Sequence, residues 1–142
     1  ARSPAFQQAI DLFTDHYRDA KIDSIVAAES RGFIFAAPLA LALGAAFVPV
    51  RKPGKLPYQK HSYSYDLEYG SDTLEMHTDA LKPGQRVLVI DDLLATGGTV
   101  EACCKLLENF EVDVIGCAFC IHLKALGGAA RLQAPLFSLL EY

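Results

Sequence analysis

Residues 87–99, VLVIDDLLATGGT, constrain this chain more than any other stretch. Residues 87–90 form a β-rich apolar run, while Val100, Cys103, Cys104 and Leu107 recur at i, i+3, i+4 and i+7. That switch of period predicts a buried strand feeding an amphipathic helix through a short turn. The turn carries two acids and a run of small residues, and it is held at both ends.

Gly97 and Gly98 let the backbone curl, so that the N–H groups of residues 95–99 converge on one anion. The following helix N-terminus adds partial positive charge at the same place. Thr96 and Thr99 supply hydroxyl donors beside those amides, with Ala95 opening the turn. Asp91 and Asp92 would repel a phosphate and are read as acceptors for hydroxyls a few ångström away. A ribose with a 5′-phosphate presents both surfaces. Neither the G-x-x-x-x-G-K-[ST] signature of a nucleoside-triphosphate site nor the G-x-G-x-x-G of a dinucleotide site is present.

Along the chain, strand and helix signals alternate. Ser3 and Pro4 open a helix over residues 4–19, with Phe6, Ala9, Ile10, Phe13 and Tyr17 on one face. A buried strand is expected over 22–28. A second helix follows, capped by Ser30 and ended by Gly44. Residues 46–50 read as the next strand, and 63–69 with 73–77 as an antiparallel pair joined around Gly70. Beyond the 87–99 unit, the pattern predicts a strand over 112–123, a short glycine-weakened helix over 125–132 and a closing strand over 136–140. The fold class is therefore α/β, a mainly parallel central sheet flanked by helices, in a single domain over 1–142. Ligands of such sheets bind beyond the carboxyl ends of the strands, which brings Glu29, Arg51 and Asp91 to one crevice.

A net charge of −4 argues against a nonspecific nucleic-acid binder, which needs a broad basic surface. Positive charge is instead local: Arg51, Lys52, Lys55 and Lys60 lie close together, interleaved with Pro53, Gly54 and Pro57, as an exposed loop. No apolar run reaches the roughly 20 residues of a membrane span, and residues 1–4 lead into a helix pattern where a secretory leader would have an apolar core. Cytoplasmic residence is the expectation. Cys117 and Cys120 fall on one strand, where positions three apart face opposite ways, so they read as inert buried thiols and not a metal or redox pair. Cys103 and Cys104 read likewise, and histidines 16, 61, 77 and 122 form no metal pattern.

The 91–99 segment resembles the phosphoribosyl-diphosphate signature of the type I phosphoribosyltransferases, and it is similar to their adenine-specific branch in particular. Glu29-Ser30-Arg31-Gly32-Phe33 resembles the family's diphosphate loop. The segment 51–57 followed by 66–70 resembles its mobile catalytic loop. The resemblance covers most of the chain and implies a transfer of phosphoribose from phosphoribosyl diphosphate to adenine, giving AMP and diphosphate.

It also implies roles for single residues. Asp91 and Asp92 hold the ribose hydroxyls, and Ala95, Thr96, Gly97, Gly98 and Thr99 hold the 5′-phosphate. Glu29, Ser30, Arg31, Arg51, Lys52 and Lys55 serve the diphosphate, and the Glu29–Ser30 peptide bond is cis. Glu68 is the acid/base on the purine, whose walls include Ala95 and Leu123. A lid over residues 52–65, anchored by Tyr63, Tyr65 and Tyr69, excludes water. Mg2+ arrives mainly on the substrate, without a protein cage, and the enzyme is a homodimer with no membrane partner. Family members carry a further N-terminal segment that helps read the base, and this chain starts at the first core helix. A nucleotide-binding regulatory or degenerate member of the same fold, or an enzyme for another purine, stands as the alternative.

Overall fold

The computed structural model describes residues 4–52, 60–67 and 70–142, with the backbone path alone for 65–67 and 70–72. The elements run α1 (Pro4–Tyr17), β1 (Ser24–Ala28), α2 (Arg31–Leu43), β2 (Ala46–Val50), β3 (Lys60–Leu67) and β4 (Gly70–His77). They continue through β5 (Arg86–Leu94), α3 (Gly98–Leu107), β6 (Asp113–His122) and β7 (Leu136–Glu141), with single 3-10 turns at Glu108–Phe110, Lys124–Leu126 and Gly128–Arg131.

Five strands form one all-parallel sheet in the order β2-β1-β5-β6-β7, and β3 pairs with β4 as a separate antiparallel hairpin. Each strand alternates between two cores. Val26, Val87, Val89, Cys117 and Phe119 point into the layer shared with α3 and the hairpin, where Leu74, Met76 and Leu106 join them. Ile25, Ala27, Leu88, Ile90 and Ala118 point into the layer beneath α1 and α2, against Phe13, Ala36 and Leu39. Burial on both faces is why these strands read as continuous apolar runs and not as alternating ones. The hairpin joins the main sheet through an isolated bridge, with the Arg51 N–H on the Glu75 carbonyl at 2.9 Å and the Glu75 N–H on the Arg51 carbonyl at 2.7 Å.

Strand order reverses between β1 and β5: the chain leaves β1 toward β2 on one side, whereas β6 and β7 follow β5 on the other. A switch point of this kind opens a crevice at the carboxyl ends of the two strands.

Several sequence expectations need correction. The first helix ends at Tyr17, two residues early, and the first strand starts at Ser24. Gly44 does end α2, in the left-handed conformation at φ 68°, but Ser30 stands at the N-cap position without making a side-chain cap bond. The strand expected to stop at Ile90 runs to Leu94, because parallel pairing with β6 continues through Asp91↔Phe119 and Leu93↔Ile121. The helix expected over 125–132 is two 3-10 turns separated by Gly127 at φ 73°. All four cysteines are free, and Cys117 packs in one core layer and Cys120 in the other, as expected, whereas a hydrogen bond with Cys117 holds the half-buried Cys104 below the usual thiol range. Burial pushes the Cys103 thiol up, and Cys120 up to about 12, which keeps both protonated and unreactive.

Candidate active site

At the switch point, the first turn of α2 lies directly on the end of β5. Gly32 permits it: a Cβ there would stand 3.2 Å from the Ile90 carbonyl oxygen and 3.3 Å from Asp91 Oδ1. The Glu29–Ser30 peptide that leads into this turn is cis, as the resemblance implies. Arg31 then projects across the crevice, its Nε 3.3 Å from Asp92 Oδ2. Its side chain is 76% exposed, so the guanidinium is held at one edge and open to a ligand on the other.

The two acids differ. The Asp92 backbone N–H donates to Asp91 Oδ1 at 2.8 Å, which turns the Asp91 carboxyl inward. Burial, together with the neighbouring Asp92 carboxylate, pushes Asp91 up to about 7 against partial relief from Arg31. The folded chain therefore holds this proton up to about 7, whereas an unfolded aspartate releases it near about 3.9. Between those values the folded state binds more protons than the unfolded one, so this group lowers stability as pH rises from about 4 to about 7. Thermal melts of the ligand-free protein from about pH 5 to about pH 7.5 should show that fall, and Asp91→Asn should flatten it. Identical slopes for wild type and variant would count against a shifted Asp91.

Beyond Leu94 the chain turns through Ala95 and Thr96, and Gly97 takes φ 87° before α3 begins at Gly98. Only glycine enters that region without strain. The amides at the start of α3 have no partner within the helix and face outward from its N-terminus. Arg31, both aspartates, residues 93–100 and Phe119 enclose a cavity of about 180 Å3. A larger hollow of about 340 Å3 lies on the outer side of α3, toward Gln133 and Ala134. Convergent polar groups, not size, pick out the smaller one as the site.

Arg51, at the end of β2, sits between Phe33, whose ring centre is 5.6 Å from its guanidinium carbon, and Glu29, whose Oε1 is 3.5 Å from its Nε. The Lys52 backbone N–H also donates to the Glu29 carboxylate. Glu29 thus holds the first two residues of the basic segment, and neither it nor Arg51 nor Lys52 is among the residues that enclose the cavity. Lys60 is drawn elsewhere, with its Nζ 3.1 Å from Oε2 of the buried Glu75. Among the proposed site residues, Lys55 and Glu68 lie outside the described residues, as do Tyr69 and the side chain of Tyr65. Tyr63 packs against the core layer under α3, and the 52–65 segment is part strand, since β3 begins at Lys60.

Ala95 lines the cavity. Leu123 is not among its walls; the Leu123 N–H donates to the Leu94 carbonyl at 2.9 Å, behind the turn. Phe119 forms a wall that sequence reading missed, although its place two positions after Cys117 on the same strand face was a usable signal. Among the described residues, no group of three metal-ligating side chains comes together, and no helix is long and apolar enough to cross a membrane.

The phosphoribosyl transferase domain family matches residues 2–135. Over 143 aligned residues the chain is 57% identical to the adenine phosphoribosyltransferase of Rhodopirellula baltica, covering 100% of this chain and 69% of that protein. The enzyme of the same name from Yersinia pseudotuberculosis is 56% identical over 128 residues, 90% of this chain and 68% of the relative. Among solved structures, adenine phosphoribosyltransferase from Thermoanaerobacter pseudethanolicus superposes with a TM-score of 0.93 at 48% identity, covering 97% of this chain and 81% of the other. The Saccharomyces cerevisiae enzyme, solved with an imino-altritol bisphosphate and adenine, also gives 0.93, at 46% identity, with 98% and 82% covered.

Proposed function

Because the chain belongs to the phosphoribosyl transferase domain family, we propose that it transfers phosphoribose from phosphoribosyl diphosphate to adenine, giving AMP and diphosphate. The observation that carries this reading is the single crevice in which an acid pair, a glycine turn at a helix N-terminus and an arginine from a different strand end face one cavity. That set divides a sugar phosphate into its parts. The 95–99 turn holds the 5′-phosphate through backbone amides and the Thr96 and Thr99 hydroxyls. Asp91 and Asp92 accept the ribose hydroxyls.

In the reaction the C1–oxygen bond to diphosphate breaks and a bond to a purine imidazole nitrogen forms. Negative charge grows on the leaving group while the sugar carbon becomes cationic. Arg31, Arg51, Lys52 and Lys55 neutralise the departing diphosphate, with Glu29 holding Arg51 and the Lys52 backbone in place. Glu68 exchanges the proton at the purine. Ala95 and Leu123 belong to the base pocket in this assignment. Residues 52–65 close over the site to keep water from the sugar cation.

Magnesium carried on the substrate would supply charge neutralisation at the diphosphate. The hard oxygens of Asp91 and Asp92 at the cavity wall suit its hydration shell. The whole of 1–142 acts as one domain around the five-stranded sheet. In its working form it pairs with a second copy: α2 is apolar nearly all round, and its outer face leaves Ile34 57% and Leu41 85% exposed. Four free cysteines suit a reducing cytoplasm.

One assay tests the reading. With phosphoribosyl diphosphate and magnesium, adenine should give AMP, while hypoxanthine, guanine and xanthine should give little product. A chelator should abolish turnover. Product with none of the four bases would favour a binding-only protein of the same fold, and undiminished activity in chelator would remove magnesium from the scheme.

A further inference from the structure

Thirty residues beyond the phosphate turn, the chain passes behind it at a distance that only bare backbone allows. A Cβ on Gly128 would lie 2.4 Å from the Ala95 carbonyl oxygen, 2.9 Å from Leu94 Cδ1 and 3.1 Å from the Gly97 nitrogen. The approach is mutual: a Cβ on Gly97 would lie 2.9 Å from the Gly128 carbonyl oxygen and 3.2 Å from Arg131 Cδ. Gly128 is buried, and its segment is fixed from both sides. The Leu123 N–H donates to the Leu94 carbonyl at 2.9 Å, and the Lys124 N–H to the Tyr142 carbonyl at 2.8 Å.

From this we infer that Gly128 is a positioning residue for the anion site: its backbone is the back wall that sets where the 95–98 amides point. The inference rests on the reading of that turn as a phosphate site. Gly97 is wedged between the Gly128 backbone and the stem of Arg131, so the turn cannot retreat from a ligand without moving a segment tied to β5 and to the end of β7. A preorganised donor set costs no rearrangement when the oxyanion arrives. The adjoining Gly127 makes the internal comparison. It has φ 73° and nothing within 4 Å of an added Cβ, so its requirement is conformational and not one of contact.

The test compares Gly128→Ala with Gly127→Asn, asparagine being the residue that best tolerates the left-handed region after glycine. AMP and ribose 5-phosphate binding are measured by calorimetry, beside steady-state kinetics and melting temperature. To relieve a 2.4 Å contact to the 3.0 Å that real Cβ atoms observe, the turn must shift. An amide turned out of line forfeits its charge-assisted hydrogen bond to the phosphate, so Gly128→Ala should weaken both ligands about tenfold or more. The loss should appear in KM for phosphoribosyl diphosphate, with kcat nearer to wild type, while Gly127→Asn binds both ligands like wild type. Equal affinities for wild type and Gly128→Ala would overturn the inference. Failure of wild type itself to bind ribose 5-phosphate would overturn the phosphate-site reading instead. If Gly128→Ala does not fold, hydrogen exchange on wild type decides: saturating AMP should slow exchange at 127–130 as well as at 95–99, and no change at 127–130 would overturn the inference.

Discussion

Replacing Asp91 by asparagine should lower kcat/KM by about one to two orders of magnitude, since a hydrogen bond from a sugar hydroxyl to a charged carboxylate contributes about 1.5–3 kcal/mol. Asparagine keeps the shape and can still accept the Asp92 N–H bond through its carbonyl oxygen, so the inward orientation of the side chain survives. What it loses is the charge. The effect should also appear in AMP affinity, because the ribose hydroxyls are the same in product and substrate. Adenine binding and melting temperature should hold at low pH, where the wild-type carboxyl is itself protonated. A variant with wild-type kcat/KM would remove Asp91 from the sugar site, and the Gly97 turn would then have to serve some other anion.

The acids illustrate what could be read in the sequence and what could not. The apolar run 87–90, the helix period after it and the glycines between gave the strand, the turn and the helix. The end of β5 was misplaced because two aspartates look like loop residues, whereas pairing with β6 carries the strand on past them to Leu94. That pairing is tertiary, and no local pattern records it. The same limit hid the role of Glu75, which falls inside the strand expected over 73–77 and whose buried carboxylate takes Lys60 out of the basic segment. It also hid Gly128, whose requirement comes from a contact with residues more than thirty positions earlier. Legibility was best where chemistry needs neighbours in sequence, as with Cys117 and Cys120 on opposite strand faces, and poorest where it needs neighbours only in space.

The proton step gives the second large effect. Glu68→Gln should reduce kcat by about two to four orders of magnitude, the usual contribution of a positioned acid or base. Glu68 lies outside the described residues, so the support is the proposed family correspondence and the way the flanking chain is held. β3 and β4 pair in continuous register from Lys60↔His77 to Leu67↔Gly70. The Arg51–Glu75 bridge fastens that hairpin to the end of β2, where the Glu29 carboxylate pairs with Arg51. Glutamine preserves size and hydrogen bonding but cannot exchange a proton at the purine. AMP and phosphoribosyl diphosphate should therefore bind within a few-fold of wild type, the melting temperature should not change, and one limb of the pH–rate profile should disappear. Glu68→Asp should recover part of the rate, since the carboxylate returns on a shorter arm. A Gln variant that turns over normally would take the proton step away from this residue, and a variant that loses AMP affinity in proportion to kcat would make Glu68 a binding group instead.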